Sequence, residues 1–318
     1  MAPALARPES DDCLTSFDEA SYEFFGGGAD EFHAAYEELE QLGQGEFGVV
    51  RRAYHRKTGV QAAVKHLPKS PKSRAELAAL SQMRHENIAR LYAYFEADQE
   101  LLLVIELCDV GLLSELLVKR QQGRALGSSD DCVLLMQQLL AALSHCHDSG
   151  RIHNDLKFDN IMLASGAKQP KLKLIDFGNS LSLHEAGKTP SDDMWFAGLT
   201  FFQLVTGLPF FLMDSDELES LDEQGVYVDP QKMQCDSMYL QLRLSIAKRF
   251  ASSIALDLLA KMLQLDRTAR IAAAEALDHP FFLTVRRAEA DPEEVKADKE
   301  GRKGSLQSVA STAATVTM

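Results

Sequence analysis

The sequence contains no run of about 18 consecutive apolar residues, the length that a membrane-spanning helix needs. Its first residues, Met1-Ala2-Pro3, match neither a secretory signal nor a myristoylation site. The five cysteines are scattered without a C-x-x-C pair, which argues against a zinc site and a dense disulfide framework. These absences predict a cytoplasmic protein, with the nucleus also open, that is not inserted in a membrane.

Positive charge is also scarce in this chain. Lys and Arg number 33 against 47 Asp and Glu, which gives a formal charge of −14. That sign of charge disfavours non-specific binding to nucleic acid or to an anionic membrane surface, so we expect neither as a partner. What the chain has in quantity is apolar residues, 46% of its 318, enough for two domains or one two-lobed fold.

The composition divides the chain into three parts. Residues 1–35 mix Pro, Ser, Asp and a glycine run without sustained periodicity, which predicts a flexible leader. Residues 36–285 carry the periodic patterns of a folded domain. Residues 286–318 are first charged and then short of large apolar residues, which predicts a disordered tail.

Within the folded part, strand signals come first and helix signals follow. Short apolar runs bounded by turn residues predict strands at 42–53, 61–66, 89–95 and 101–107. Leu77, Leu80 and Met83 recur at helical spacing, which predicts one helix over 73–83 among these strands. Apolar residues three to four positions apart predict later helices at 132–147, 195–204, 255–263 and 272–277. We therefore expect an α+β fold.

The first motif is a glycine string, G-x-G-x-x-G-x-V, made of Gly43, Gly45, Gly48 and Val50. Glycines at this spacing let backbone amides approach phosphates closely. A dinucleotide-binding fingerprint has the same glycines but opens a helix. Here residues 49–54 continue as a strand, so the string predicts a strand-turn-strand cover.

Two charged residues follow the glycine string. Lys65 ends the apolar run Ala62-Ala63-Val64, a place from which a lysine can reach the α- and β-phosphates of a nucleotide. Glu76 lies eleven residues later on the predicted helix, where it can hold Lys65 as an ion pair. A strand lysine alone is usually surface charge and a helical glutamate is usually solvated, so only the combination is informative.

The most specific signal is His153-Asn154-Asp155-Leu156-Lys157-Phe158-Asp159-Asn160, followed by Asp176-Phe177-Gly178. These strings resemble the H-R-D-L-x-x-x-N and D-F-G motifs of eukaryotic protein kinases. The order and spacing of all five features match that family, whereas each alone has an ordinary structural explanation such as a turn cap.

The resemblance implies a role for each residue in the use of ATP and Mg²⁺. Asp155 orients the acceptor hydroxyl and takes its proton, and Lys157 steadies the γ-phosphate. Asn160 and Asp176 hold magnesium against the triphosphate. Lys157 also resembles the serine/threonine branch of the family.

Further matches extend the resemblance over residues 36–285, with a small lobe at 36–107 and a larger one at 108–285. Residues 101–108 resemble the strand that enters the interlobe hinge, with Ile105 at the gatekeeper position. The implied adenine contacts are the backbone of Glu106 and Cys108 and the side chains of Val50, Ala63 and Met162. Residues 193–198 resemble the D-x-W-S-x-G helix start, whose aspartate steadies the catalytic loop, and 266–282 resemble the C-terminal helices of the calcium/calmodulin-dependent group.

Two departures from the family stand out. Asn154 replaces an arginine that in the family meets a phosphate on the activation loop, which argues against activation by loop phosphorylation. Asp193 follows Asp176 by only 17 residues, where the family needs about 35, and no A-P-E motif lies between them. Arg270 corresponds to the arginine that pairs with the A-P-E glutamate, and Glu185 is the nearest candidate replacement.

These observations leave two functions open. The first is a serine/threonine protein kinase that transfers the γ-phosphate of Mg-ATP to a protein substrate and is controlled by a regulatory protein. The second is a nucleotide-binding pseudokinase or scaffold that lacks a complete substrate platform. The short interval itself fits either a truncated activation segment or a coding sequence from which an exon was omitted. No D-x-[DN]-x-[DN]-G loop occurs, so no calcium sensor is expected within the chain.

Overall fold

The computed structural model describes residues 25–45, 48–113, 130–165, 171–183, 187–211 and 237–283. The predicted tail and the first 24 residues of the predicted leader lie outside these ranges. The chain divides into two compact units. The first comprises the described residues up to Ser73 together with Leu91–Glu106, and the second comprises Arg74–Arg90 together with the described residues from Leu107 onward.

The first unit is built on a six-stranded sheet in the order β1-β5-β6-β4-β3-β2. Strand β1 pairs with β5 in parallel and the other neighbours are antiparallel. A short helix, α1 (Ala29–Ala35), connects the first two strands. The strands are β1 (Phe25–Gly28), β2 (Tyr36–Gly45), β3 (Gly48–His55), β4 (Gln61–Pro68), β5 (Leu91–Glu96) and β6 (Glu100–Glu106).

One face of this sheet packs against α1. Phe32 of α1 is fully buried, and its ring meets that of Phe95 edge-on at 5.3 Å between centroids. Val64 and Val104 are cross-strand partners in the same buried cluster. Because neighbouring residues of a strand point to opposite faces, Lys65 lies on the other face of the sheet. Burial of one face therefore decides which strand residues remain available for a ligand.

The structure differs from the predicted leader over residues 25–35. These residues form β1 and α1 instead of a flexible segment. The helix has seven residues and buries one of them, Phe32, so its sequence carries no helical periodicity. The glycine-rich strand is ordered by its pairing with β5, a tertiary contact that local patterns do not encode.

The second unit is mainly helical. Its two small sheets have the orders β10-β9-β7 and β11-β8. Short 3₁₀ turns occur at Phe158–Asn160, Arg267–Ala269 and Pro280–Phe282. The helices are α2 (Pro71–Gln82), α3 (Asp130–Asp148), α4 (Pro190–Thr206), α5 (Ser237–Ala247), α6 (Ser253–Met262) and α7 (Ala273–Leu277). The first three residues of α2 belong to the first unit and the rest of the helix to the second. The strands are β7 (Gly111–Leu112), β8 (Arg151–Ile152), β9 (Ile161–Ala164), β10 (Lys171–Leu174) and β11 (Leu181–Ser182).

Helix α4 has clear sequence signals at both ends. Thr189 and Asp192 form a capping box, and Pro190 occupies the first turn, where its missing N–H costs nothing. At the other end Gly207 adopts the left-handed conformation, φ 72°, that terminates helices. These caps fix where α4 begins, which matters because Asp193 lies in its first turn.

Residues 74–90 group with the second unit, although the predicted small lobe (36–107) includes them. The loop after α2 is tied to β10 by backbone hydrogen bonds from Ala89 to Leu174 and from Leu174 to Asn87. The side-chain amide of Asn87 also donates to Gln138 of α3 and to the carbonyl of Leu172. This anchoring explains why a helix flanked by strands of the first unit belongs to the second.

The predicted fold class is confirmed, with a strand-rich first unit and a mainly helical second one. The predicted strand at 42–53 is in fact divided between the end of β2 and most of β3, and residues 46–47 lie outside the described ranges. The pattern analysis missed α5 and the short strands of the second unit. Across the described ranges, no helix combines the length and the apolar character needed to cross a membrane.

Candidate functional site

The described residues of the glycine string lie on two paired strands, as predicted, and residues 46–47 between them lie outside the described ranges. Strands β2 and β3 pair up to Gly45 and Gly48, and Gly43 pairs with Val50. Gly48 has φ 155°, and a Cβ there would lie 1.8 Å from the carbonyl oxygen of His66. Among the described residues, no atom lies within 4 Å of a Cβ added at Gly43 or Gly45. Packing against the described residues therefore requires glycine at Gly48 and not at the other two positions, where open space suits the approach of a ligand to the backbone.

Substitution by alanine should affect stability differently at the crowded Gly48 and at the open Gly45. We expect Gly48→Ala to lower the free energy of unfolding by about 1–3 kcal/mol, because the new methyl group overlaps the backbone of β4. The matched variant Gly45→Ala should change that free energy by less than about 0.5 kcal/mol. Urea unfolding of both variants measures the difference, and equal destabilisation would contradict the predicted overlap at Gly48.

The sheet register brings several predicted ligand-binding residues to one face. Val50 pairs with Lys65, which pairs with Leu103 on the next strand. Ala63 lies two residues before Lys65 and pairs with Ile105. Residues paired across antiparallel strands share a face, so these side chains are neighbours on the face opposite the α1 core. Glu106 is the last residue of β6.

Glu76 is buried in the second unit. Its side chain is 2% exposed, and its Oε2 atom lies 3.1 Å from the position that a Cβ would take at Gly178. The carboxylate is thus directed towards the Asp176-Phe177-Gly178 loop and is not solvated. Gly178 provides room for it, since a larger residue would press on this carboxylate. The ion pair between Glu76 and Lys65 stays a prediction.

The catalytic-loop residues converge on one oxygen of Asp155. Its Oδ2 atom accepts a hydrogen bond from the side-chain amide of Asn160 at 3.1 Å and lies 3.4 Å from the ammonium of Lys157. Asn160 also donates to the backbone carbonyl of Asp155 at 2.7 Å. A third donor to Oδ2 is the side-chain amide of Asn179 at 3.2 Å. These bonds leave Oδ1 as the oxygen available to take a proton.

Asp193 binds the backbone at the start of the catalytic loop. Its two oxygens accept the backbone N–H groups of His153 and Asn154, each at 2.9 Å, and Oδ2 also meets His147 Nε2 at 2.9 Å. Asp193 itself is fully buried. Two amides bound to one carboxylate keep Asn154 in a left-handed conformation, φ 64°, which asparagine tolerates better than most residues. The structure thus supports the steadying role that the resemblance implies.

Asp176 also adopts a left-handed conformation, with φ 62°. Its Oδ1 accepts the backbone N–H of Gly178 at 3.3 Å, and the adjacent Phe177 ring packs edge-on against His153 at 4.9 Å. His153 in turn meets the carbonyl of Ile175 at 3.0 Å through Nε2. His153 and Phe177 thus connect the Asp176-Phe177-Gly178 loop to the catalytic loop, residues 153–160.

Asn160 and Asp176 offer an amide oxygen and a carboxylate, ligands that Mg²⁺ prefers. Because Asn160 uses its amide nitrogen on Asp155, its amide oxygen is left for a cation. In the described part of the chain, no three His, Cys, Asp or Glu side chains form a metal cage. A magnesium ion held by one or two protein ligands and by phosphate oxygens needs none, so these residues fit it.

The chain runs from Asp176 to α4 through a short, anchored segment. Strand β11 pairs with β8, and the backbone N–H of Leu183 donates to the carbonyl of Gly150 at 3.0 Å. Residues 184–186 are outside the described ranges, and α4 begins at Pro190. The first turn of α4 brings Asp193 into contact with the catalytic loop. The interval before it is too short to contain an activation segment of the length that the family has.

Arg270 has partners other than a carboxylate. It donates to the backbone carbonyls of Gln264 at 2.6 Å and Ser191 at 2.9 Å, and its guanidinium lies 4.8 Å from the ring centre of Trp195. Burial lowers the pKa of Arg270 from its usual value, which the nearby Asp192 carboxylate partly opposes. The proposed partner Glu185 lies outside the described residues. In the described residues, Arg270 is thus stabilised by two backbone carbonyls and an aromatic ring.

The remaining predicted residues lie in the second unit. Cys108 is buried and lies shortly before β7 in the sequence, and Met162 lies in β9, where it pairs with Leu112. Burial raises the pKa of Cys132 to about 12 and also raises that of Cys146, so neither supplies a reactive thiolate at neutral pH. The residues that the sequence analysis missed are Asn179 and His147, since a lone asparagine or histidine carries no motif signal.

Comparison with known proteins agrees with this geometry. A model of the protein kinase domain family matches residues 36–191 and 182–282. The two matched segments overlap within the short interval between Asp176 and Asp193, where the family pattern is interrupted. These segments cover most of the chain and include every predicted site residue.

Individual relatives are more distant. The chain is 30% identical over 281 residues to the calcium/calmodulin-dependent protein kinase type II alpha chain of Drosophila melanogaster, covering 79% of this chain and 50% of that protein. It is 29% identical over 280 residues to calcium-dependent protein kinase 5 of Plasmodium falciparum, covering 80% and 46%. Sperm motility kinase 1 of Mus musculus is 31% identical over 243 residues, covering 66% and 48%. The chain spans about half the length of these relatives. On the strength of the family match and the catalytic-loop geometry, this chain belongs to the protein kinase domain family.

Proposed function

We propose that this protein is an ATP-dependent serine/threonine protein kinase that transfers the γ-phosphate of Mg-ATP to a protein hydroxyl. The observation that carries the proposal is the Asp155 carboxylate, which is held by Asn160, Lys157 and Asn179 in a loop fixed by Asp193. An oriented carboxylate is what a hydroxyl acceptor needs, because phosphoryl transfer depends on positioning and charge neutralisation.

The bound nucleotide would supply the phosphoryl group, and the chain's residues would position it. The backbone of Gly43, Gly45 and Gly48 approaches the phosphates, and Lys65, supported by Glu76, neutralises them. Asn160 and Asp176 would hold Mg²⁺, and Lys157 would steady the γ-phosphate. Asp155 accepts the proton of the hydroxyl through Oδ1. The adenine contacts are the backbone of Glu106 and Cys108 and the side chains of Val50, Ala63 and Met162.

The proposal extends to partners. The substrate is a protein, and control comes from a regulatory protein instead of a phosphate on the activation loop. Two of the relatives are named as calcium/calmodulin-dependent or calcium-dependent kinases. We place this kinase in the same functional class, with residues 36–285 as its catalytic domain.

A second candidate function rests on the short interval after Asp176. Only 17 residues separate it from Asp193, and Arg270 is satisfied by backbone carbonyls and Trp195 where an acceptor platform would be anchored. A chain with an intact nucleotide site and no platform for a protein substrate would act as a nucleotide-binding pseudokinase or scaffold.

Transfer of radiolabelled phosphate from ATP to generic basic peptides separates the two functions. We expect the full chain to label peptide only with Mg²⁺, at a rate about 100-fold or more above that of Asp176→Ala, because loss of a metal ligand removes several kcal/mol of charge stabilisation. Magnesium-dependent ATP binding by calorimetry is the control for a folded site. ATP binding without any peptide labelling would contradict the kinase proposal and support the scaffold.

A further inference from the structure

The aspartate at the centre of the catalytic loop has a supporting residue outside both recognised motifs. Asn179 follows the Asp176-Phe177-Gly178 string, and its side-chain amide donates to Asp155 Oδ2 at 3.2 Å. The Asn154 side-chain amide donates to the backbone carbonyl of Asn179 at 3.0 Å. The three residues thus form a chain of hydrogen bonds that runs from Asn154 through Asn179 to the carboxylate.

The other two donors to Asp155 also have proposed roles in binding Mg-ATP. Asn160 would hold magnesium through its amide oxygen while its amide nitrogen donates to Asp155, and Lys157 would contact the γ-phosphate. Asn179 is the donor without an assigned contact to the nucleotide, so its amide is available to Asp155 whether or not nucleotide is bound.

The backbone around Asn179 is held by hydrogen bonds to other residues of the described chain. Ser180 N–H donates to the carbonyl of Phe177 at 3.0 Å, and strand β11, which pairs with β8, begins at the next residue, Leu181. Asn154 itself is fixed by its N–H bond to Asp193. None of these bonds requires an added charge, so this arrangement forms without a phosphate group on the chain.

We propose that Asn179 is a positioning residue for Asp155 and that Asn154 acts through it, giving the catalytic loop its productive geometry without phosphorylation. This proposal rests on the proposed kinase function. It assigns to the residue after Gly178 a role in orienting the carboxylate, and to Asn154 a role in orienting that residue.

Steady-state kinetics of protein shown by mass spectrometry to carry no phosphate tests the chain of bonds. Asn179→Ala should lower kcat about tenfold or more, the effect of losing one hydrogen bond to a charged group, with the KM for ATP within about twofold. Asn179→Asp keeps the size but places a carboxylate beside Asp155, so its kcat should fall further than that of Asn179→Ala. A purely structural role would make the aspartate variant the milder of the two.

A double-mutant cycle tests the order of the chain. Asn154→Gly preserves the left-handed backbone but removes the amide, and should lower kcat less than Asn179→Ala does. The double variant should be no slower than Asn179→Ala, because both changes remove the same support. Ser180→Ala is the control, since the buried Ser180 hydroxyl has no hydrogen-bond partner among the described residues. An unchanged kcat in Asn179→Ala, or additive losses in the cycle, would overturn the proposal.

A readout without turnover keeps this test separate from the kinase proposal. In protein labelled with ¹⁵N-asparagine, the Asn179 side-chain amide signal, assigned by its loss in Asn179→Ala, should shift in both Asp155→Ala and Asn154→Gly. If wild-type protein labels no peptide but these shifts occur, the kinase proposal fails while the hydrogen-bond chain stands. If the signal stays in place in both variants, the chain of bonds is refuted whatever the activity.

Discussion

Asp155→Asn is expected to lower the phosphotransfer kcat by about 10²–10⁴-fold, the contribution of a positioned general base. Asparagine has the size of aspartate, and its amide oxygen can still accept hydrogen bonds from Asn160 and Asn179. It cannot take a proton from an acceptor hydroxyl. The loss should therefore appear in kcat, while magnesium-dependent ATP binding measured by calorimetry stays within about twofold of wild type.

Asp148→Asn is the matched control for this prediction, because Asp148 lies exposed at the end of α3, in the same part of the chain. Its kcat should equal that of wild type. If Asp155→Asn retained at least half of the wild-type kcat, Asp155 would not be the proton acceptor, and the residual chemistry would have to be assigned to another group.

Asp193→Ala is expected to destabilise the folded protein by about 2–5 kcal/mol and to abolish transfer. The substitution removes the acceptor for the N–H groups of His153 and Asn154, and each unsatisfied buried donor costs about 1–3 kcal/mol. It also removes the bond to His147. Since domains are stable by about 5–15 kcal/mol, urea unfolding should detect this change easily.

Asp192→Ala provides a neighbouring comparison in the same helical turn. Asp192 accepts the backbone N–H of Thr189 at 2.9 Å as part of the capping box, a contact worth about 1 kcal/mol. Asp192→Ala should lower the free energy of unfolding by less than Asp193→Ala does, and the catalytic loop should keep its geometry. Equal losses of stability in the two variants would show that Asp193 contributes only to the helix start and not to the loop above it.

The interval after Asp176 contains residues that contact the catalytic loop, but it is about 18 residues shorter than the family pattern. Asn179, β11 and the first turn of α4 are all present and bonded. Arg270 is retained with new partners, Ser191 and Trp195. If a longer transcript existed across residues 178–193, sequencing would reveal about 18 extra codons, the number that restores a family-length segment of about 35 residues. Without them, the proposed kinase would have to hold its acceptor on other surfaces.

The sequence by itself determined the family, the order of its motifs and most of the candidate site. Asp155, Lys157 and Asn160 lie within one short string, and Asp176 heads another, so their spacing alone indicated shared chemistry. The two strands that pair at Gly45 and Gly48 were also predictable, because glycine spacing and strand periodicity are local properties.

Only the tertiary structure decided which distant residues support that site. Asn179 meets Asp155 across 24 positions, and Asn87 meets the carbonyl of Leu172 across 85. Phe32 packs on β5, which turns a glycine-rich stretch into ordered structure. Contacts of this kind depend on how separate elements pack, and a single asparagine or phenylalanine has no periodic pattern from which they could be predicted. The motifs therefore predicted the candidate site residues, whereas the residues that hold them in place could be identified only from the tertiary structure.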